Sequence, residues 1–131
     1  MTGFTGGCHC GAIRYEVTGE PVVARMCHCD DCRRSGGGAF ATNVFVKTED
    51  LKLTKGEPKS FYWVAASGNK RGRAFCGDCG TTVYVWNEAR PETRGVRIGT
   101  IDDASFVEPK MHLWVSRALP STNLNDDLPK F

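Results

Sequence analysis

Long apolar runs are missing from this chain: nowhere do its 131 residues approach the ~20 consecutive apolar positions of a membrane span. No window of about a dozen residues carries the spacing of an amphipathic helix, which leaves little room for a helical fold. The opening stretch MTGFTGGCHC has neither an apolar run nor a cleavage pattern, so no secretory leader is expected. Charge of one sign is also lacking. Seventeen Lys and Arg stand against fifteen Asp and Glu, a net charge of +2, and no basic run is present. That balance is too weak to make a nucleic-acid or membrane surface by itself. Repeats and low-complexity segments do not occur. With 40% apolar and 24% charged residues, the chain reads as one soluble globular domain, residues 1–131, with a modest core. The expected compartment is cytoplasmic, where thiols stay reduced.

What the chain does have is β-strand signal cut short by punctuation. Fifteen glycines and six prolines interrupt it every few residues. In AIRYEV, Ile13, Tyr15 and Val17 alternate with Arg14 and Glu16, the period of a half-buried strand. LKLT (51–54) alternates too. FATNVFV (40–46), SFYWVAA (60–66), TTVYVW (81–86), VRIGTI (96–101) and HLWV (112–115) are rich in β-formers. Turn signals lie between them at Lys55-Gly56-Glu57-Pro58, Ser67-Gly68-Asn69 and Ile101-Asp102-Asp103. One short helical turn is expected after Cys29, through Asp30 to Arg34. Residues 119–131 read as an extended, polar C-terminal tail on the surface. The expectation is an all-β fold of several short antiparallel sheets. Such a fold buries little per strand, so a metal staple would add what the core cannot.

Seven cysteines supply the staple, in three tight clusters: Cys8 and Cys10; Cys27, Cys29 and Cys32; Cys76 and Cys79. An odd number leaves a thiol over in any disulfide framework, and pairs two residues apart would close strained rings. Thiols at these spacings suit a tetrahedral metal. Cys76-Gly77-Asp78-Cys79-Gly80 has the two-residue gap of a zinc knuckle. In an extended Cys8-His9-Cys10 both sulfurs point to one side. Pairing these four gives a saturated, structural four-thiolate site. Cys27, Cys29 and Cys32 are left to converge on a second ion with a fourth position open, the mark of a catalytic zinc. Two alternatives remain at this level. His9, His28 or His112 could close the second site, and the pairs could be swapped, 8/10 with 27/29. A reversible disulfide between Cys27 and Cys32 in a redox sensor is a further reading.

The stretches GGCHCGAIRYEV, MCHCDDCRRSGGGAF, RAFCGDCGTTVY and HLWV…DDLPKF together resemble the glutathione-dependent formaldehyde-activating enzyme family, which includes the centromere protein V-like domains. The resemblance spans the chain from Gly7 to its end. It implies small antiparallel sheets around a zinc site, a structural zinc on Cys8, Cys10, Cys76 and Cys79, and a catalytic zinc on Cys27, Cys29 and Cys32, the second more labile. The activity it implies is carbon–sulfur lyase chemistry: reversible formation of S-(hydroxymethyl)glutathione from glutathione and formaldehyde. Glutathione carries two carboxylates, so cations or free amides should meet it. Arg33 and Arg34, followed by Gly36, Gly37 and Gly38, are the candidates for substrate binding. The basic segment 67–73 reads as a hairpin tip that could border the pocket. Trp63, Trp86 and Trp114 are expected in the core or pocket wall, and His112 as a structural histidine. The competing reading is a non-catalytic zinc module that contacts protein or nucleic acid, against which the balanced charge argues.

Overall fold

The structure, a computed structural model, describes residues 3–131. Ten strands and one helix follow in chain order: β1 (Phe4–Gly7), β2 (Arg14–Val17), β3 (Val23–Cys27), α1 (Asp30–Gly36), β4 (Ala41–Lys47), β5 (Leu51–Lys55), β6 (Lys59–Val64), β7 (Lys70–Phe75), β8 (Thr82–Asn87), β9 (Thr93–Arg97) and β10 (Met111–Leu113). They form two sheets. The smaller has the order β1-β2-β5, the larger β10-β3-β4-β9-β8-β7-β6. The ladders are antiparallel except at one edge, where β10 runs parallel to β3. The all-β expectation therefore holds, with strands gathered into one broad sheet and one small one. No helix among the described residues is long and apolar enough to cross a membrane.

Strand alternation sorts the large sheet into two faces with different tasks. One cross-strand row, Ala24, Val44, Val96, Tyr84 and Ala74, is buried against the small sheet. Tyr15 and Val17 of β2 meet it from the other side, with Phe4, Ile13, Val46 and Val83 completing the core. The neighbouring rows point the opposite way: Arg25, Asn43 and Arg97 in one, Phe45, Gly95, Val85 and Arg73 in the next. These line a cleft described below. A slip of one residue in register would exchange core for cleft, so the alternation fixes both at once.

Several expected strands end early, for local reasons. VRIGTI is strand only to Arg97 and then tightens into a 3-10 turn, Ile98–Thr100. There the Thr100 hydroxyl donates to the Arg97 carbonyl at 2.8 Å and accepts from the Tyr15 hydroxyl at 2.8 Å. Burial pushes the Tyr15 phenol up to about 12, so it stays a donor. HLWV is strand only to Leu113, because Trp114 adopts a left-handed conformation at φ 58°. Three strands were not legible. β1 and β3 lack aromatic or β-branched runs, and the basic segment read as a hairpin tip continues into β7. SFYWV is a strand at the sheet edge, where Phe61, Tyr62 and Val64 stay half exposed. Arg73 lies over the Phe61 ring at 4.8 Å and Lys70 over Tyr62 at 5.2 Å, shielding them in part.

The C-terminal tail is bonded to β10. The His112 N–H donates to the Pro129 carbonyl at 2.9 Å and the Phe131 N–H to the His112 carbonyl at 3.0 Å. The buried His112 ring donates from Nε2 to Asp126 at 2.8 Å, and its Nδ1 lies 2.9 Å from His28 Nε2. Burial, and then the neighbouring His112, hold His28 below the ordinary imidazole range.

Two outcomes are expected. A side chain at Gly6 would collide with the Tyr15 hydroxyl and the Thr100 carbonyl, so Gly6→Ala should cost ~1–3 kcal/mol in a urea titration. The Asp126 carboxyl is held down to about 2, first by His112 and then by Lys130. A depressed folded value means that its contribution is present above the ordinary carboxylate range and is lost as pH falls towards about 2. Asp126→Asn should therefore speed hydrogen exchange at the Phe131 amide at neutral pH, where the native chain stays protected.

Candidate functional site

Cys8 and Cys10 follow the end of β1, and Cys76 and Cys79 sit in the turn between β7 and β8. The turn is closed by the Gly80 N–H on the Cys76 carbonyl and the Cys76 N–H on the Thr81 carbonyl, both at 2.9 Å. Gly80 takes φ +81°, a conformation that suits glycine. The four sulfurs lie within 4.8 Å of one another. Cys8 and Cys10 are 3.7 Å apart, and Cys10 and Cys76 are 3.8 Å apart. Four thiolates around a zinc, each about 2.3 Å from it, would be separated by about 3.8 Å. The geometry therefore fits a tetrahedral ion. Backbone N–H groups of Ile13 and Asp78 point at Cys8 and Cys76 from 3.2 and 3.4 Å, as thiolates require. The pairing of 8/10 with 76/79 is the one found, and it ties the small sheet to the β7–β8 hairpin of the large one.

The second cluster is built on a strand end and a helix start. Cys27 closes β3, Cys29 caps α1, and Cys32 lies in its first turn. The Cys29 sulfur accepts from the Cys32 N–H at 3.4 Å, in the place of the usual capping oxygen. The three sulfurs lie within 4.8 Å of one another, and no other His, Cys, Asp or Glu joins them among the described residues. Cys27 and then Cys32 hold the Cys29 thiol down to about 2. The cost falls on its neighbours. Cys27 is raised chiefly by Cys29, and Cys32 is raised chiefly by Cys27. One thiolate is favoured against the other two, and a divalent cation is what lets three ionise together.

None of the histidines completes this trio. His28 points to the opposite side of the strand, fully buried between Phe40 and His112. His112 is engaged with His28 and Asp126. The His9 backbone N–H donates to the Thr81 hydroxyl beside the other cluster.

The trio opens into a cleft of about 440 Å³, lined by the non-core face of the large sheet. Arg25, Arg71, Arg73, Arg90 and Arg97 line it, with Asp31 as the only carboxylate. Trp63, Trp86, Trp114 and Phe45 supply apolar wall. A side chain at Gly72 would enter the Trp86 ring, so glycine there lets the indole lie across β7. Sequence reasoning missed Arg25, Asn43 and Arg97. A signal existed in the alternation itself, which set Asn43 beside Val44 and Arg97 beside Val96, on the face opposite those valines.

Arg33, Arg34, Gly37 and Gly38 are not among the cleft-lining residues. α1 turns Arg33 toward Asp30, which it meets at 2.8 Å, and Arg117 meets the same carboxylate at 2.9 Å. Arg117 and then Arg33 hold Asp30 down to about 2. Gly37, at φ +70°, ends the helix by donating to the Arg33 carbonyl. Arg33 and Gly37 thus help to fix the element that carries Cys29 and Cys32.

The two clusters should separate in experiment. Cys76→Ser is expected to remove one equivalent of bound metal and lower the melting temperature by ~10 °C or more. Cys29→Ser should also remove one equivalent, with a much smaller thermal shift. Elemental analysis paired with thermal denaturation checks both.

Comparison with known proteins agrees with this architecture. A solved Rhodobacter sphaeroides protein superposes with a TM-score of 0.58 at 25% identity, covering 97% of this chain and 99% of that one. A Halomonas elongata protein provisionally named a glutathione-dependent formaldehyde-activating enzyme is 33% identical over 91 residues, 66% of this chain and 58% of that protein. An uncharacterized lyase of Schizosaccharomyces pombe is 32% identical over 84 residues, 64% of this chain and 58% of its own length. The matched stretch thus spans 58% of either named relative. The family model described as glutathione-dependent formaldehyde-activating enzyme matches residues 3–117. With both cysteine clusters inside that span, the chain belongs to the glutathione-dependent formaldehyde-activating enzyme family.

Proposed function

We propose that this protein is a zinc-dependent carbon–sulfur lyase that reversibly joins glutathione, or a similar thiol, to formaldehyde or a related small aldehyde. One observation carries the reading: three thiols converge, with no fourth protein ligand among the described residues, in a cleft lined by five arginines and one carboxylate. Family membership points to the same chemistry.

In this reading Cys8, Cys10, Cys76 and Cys79 hold a structural zinc, and Cys27, Cys29 and Cys32 hold the catalytic one. Bound there, zinc supplies an open position that favours the thiolate form of an incoming thiol and can polarise a carbonyl. The chain's own residues do the rest. The Cys29 cap and the Asp30 pairing with Arg33 and Arg117 hold the trio in register with the cleft. The cleft arginines meet the carboxylates of the thiol substrate. Trp63, Trp86 and Trp114 exclude water from the reacting atoms. In the net reaction the thiol sulfur bonds to the carbonyl carbon, the carbonyl π pair moves to oxygen, and the thiol proton ends on that oxygen. Cleavage reverses each step. The reading treats residues 1–131 as one domain working in a reducing compartment, where all seven thiols stay available to metal.

Zinc-loaded protein mixed with glutathione and formaldehyde should accelerate adduct exchange, followed by magnetisation transfer. Cys29→Ser should reduce that acceleration by ~100-fold or more. Exchange no faster than in buffer would refute the named reaction. A chelator should release two zinc equivalents in two phases, the faster one from the three-cysteine site.

A further inference from the structure

Arg97 is 7% exposed, yet its Nε and Nη1 have no hydrogen-bond partner. Its one side-chain bond runs from Nη2 to the Ser35 hydroxyl at 2.9 Å, three residues along α1 from Cys32. Asn43, its cross-strand partner, is 4% exposed with Oδ1 also unpartnered. Arg25 faces Asn43 from β3 and has a buried, unpartnered Nε. These three form one row across β3, β4 and β9, on the cleft face and two residues along β3 from Cys27. Two residues of strand span about 7 Å.

A buried guanidinium is costly unless anions and acceptors meet it. The sulfurs of Cys32, Cys27 and Cys29 offset part of the Arg97 charge, and Ser35 takes Nη2, which leaves Nε and Nη1 without an acceptor. Three donors without hydrogen-bond partners, Nε and Nη1 of Arg97 and Nε of Arg25, therefore lie in one row along the lining of one cleft. The carboxylate nearest in sequence to the trio and lining the cleft, Asp31, has no hydrogen bond to any of them among those described.

We propose that Arg97, with Arg25 and Asn43, is the seat of a substrate carboxylate, and that this row selects reactants that carry a carboxylate a few bonds from the reacting sulfur or carbonyl carbon. The proposal rests on the three-cysteine site being the reacting centre. Arginine suits the task because its planar, permanently charged fork offers several donors to one carboxylate. Asn43 adds an amide that can turn its N–H₂ toward the same oxygens. The carboxylate could belong to the thiol or to the aldehyde, and the two sources can be told apart.

The experiment uses zinc-loaded protein and pairs of probes that differ by a carboxylate. On the thiol side, 3-mercaptopropionate is compared with 2-mercaptoethanol, each with formaldehyde. On the aldehyde side, glyoxylate is compared with acetaldehyde, each with 2-mercaptoethanol. The quantity read is the ratio of exchange rates, charged over neutral. It should exceed ~10-fold in the arm that matches the substrate, fall towards one in Arg97→Met, and recover in part in Arg97→Lys. A ratio near one in both arms, or a preference unmoved by either substitution, would overturn the proposal.

A titration with ¹³C-labelled propionate, followed by line broadening, separates this idea from the lyase reading. Propionate binding that weakens ~10-fold or more in Arg97→Met supports the carboxylate seat even where no probe pair reacts. Binding that ignores Arg97, or no binding, counts against it even where the lyase activity is present. Arg25→Met provides a second variant should Arg97→Met fail to fold, with the same loss expected.

Discussion

Sulfur atoms from residues 8, 10, 76 and 79 lie within 4.8 Å of one another, and the rest of the architecture depends on that convergence. Small β domains with short strands bury little surface per residue, and their conformational entropy is correspondingly hard to offset. A metal cross-link between segments nearly seventy residues apart restricts the unfolded chain over a long loop. It would also decide where the small sheet sits. β1 leads into Cys8 and Cys10, while β7 leads into Cys76, so one ion would clamp the small sheet onto the broad one. The core formed by Tyr15, Val17, Val44 and Val96 lies between the sheets that this clamp brings together.

The same broad sheet serves two purposes because its side chains alternate. Valines and alanines occupy the face turned to the core, and arginines, asparagine and aromatics occupy the face turned to the cleft. Cys27 ends β3 on that second face, and α1 begins three residues later. Chain direction therefore delivers three thiols to the floor of a cationic cleft without a long loop. On the other side of the same segment, His28 reaches into the protein to His112 and Asp126, linking the strand to the C-terminal tail. One tripeptide thus presents sulfur to the cleft and imidazole to the interior.

The parts legible in the sequence were those that depend on near neighbours. Cysteine spacing is a local property, and it identified the three cysteine groups; that 8/10 joins 76/79 rather than 27/29 was its preferred reading and is set by the fold. The strands with alternating β-branched and aromatic residues, such as Tyr15-Glu16-Val17 and the Asn43–Val46 stretch, were also legible. β1 and β3 were not, because Phe4–Gly7 and Val23–Cys27 draw their strand character from the partners beside them rather than from their own side chains. The arginines show the same limit. Arg33 stands next to Cys32 in sequence, but a helix turns it toward Asp30. Arg25, Arg71, Arg73 and Arg97 reach the cleft only through strand pairings that join distant segments. Sequence adjacency located the cysteine groups, and the sheet register located the charges around the three-cysteine one.

The central claim is that Cys27, Cys29 and Cys32 form an open three-thiolate centre that takes a thiol at its fourth position. Cobalt(II) in place of zinc makes this visible, since its absorption reports the number of sulfur ligands. With cobalt in both sites, addition of glutathione should alter the spectrum of one ion only, and Cys29→Ser should remove that change while the four-cysteine spectrum persists. A spectrum indifferent to glutathione, with both ions already fully coordinated by the protein, would contradict the account.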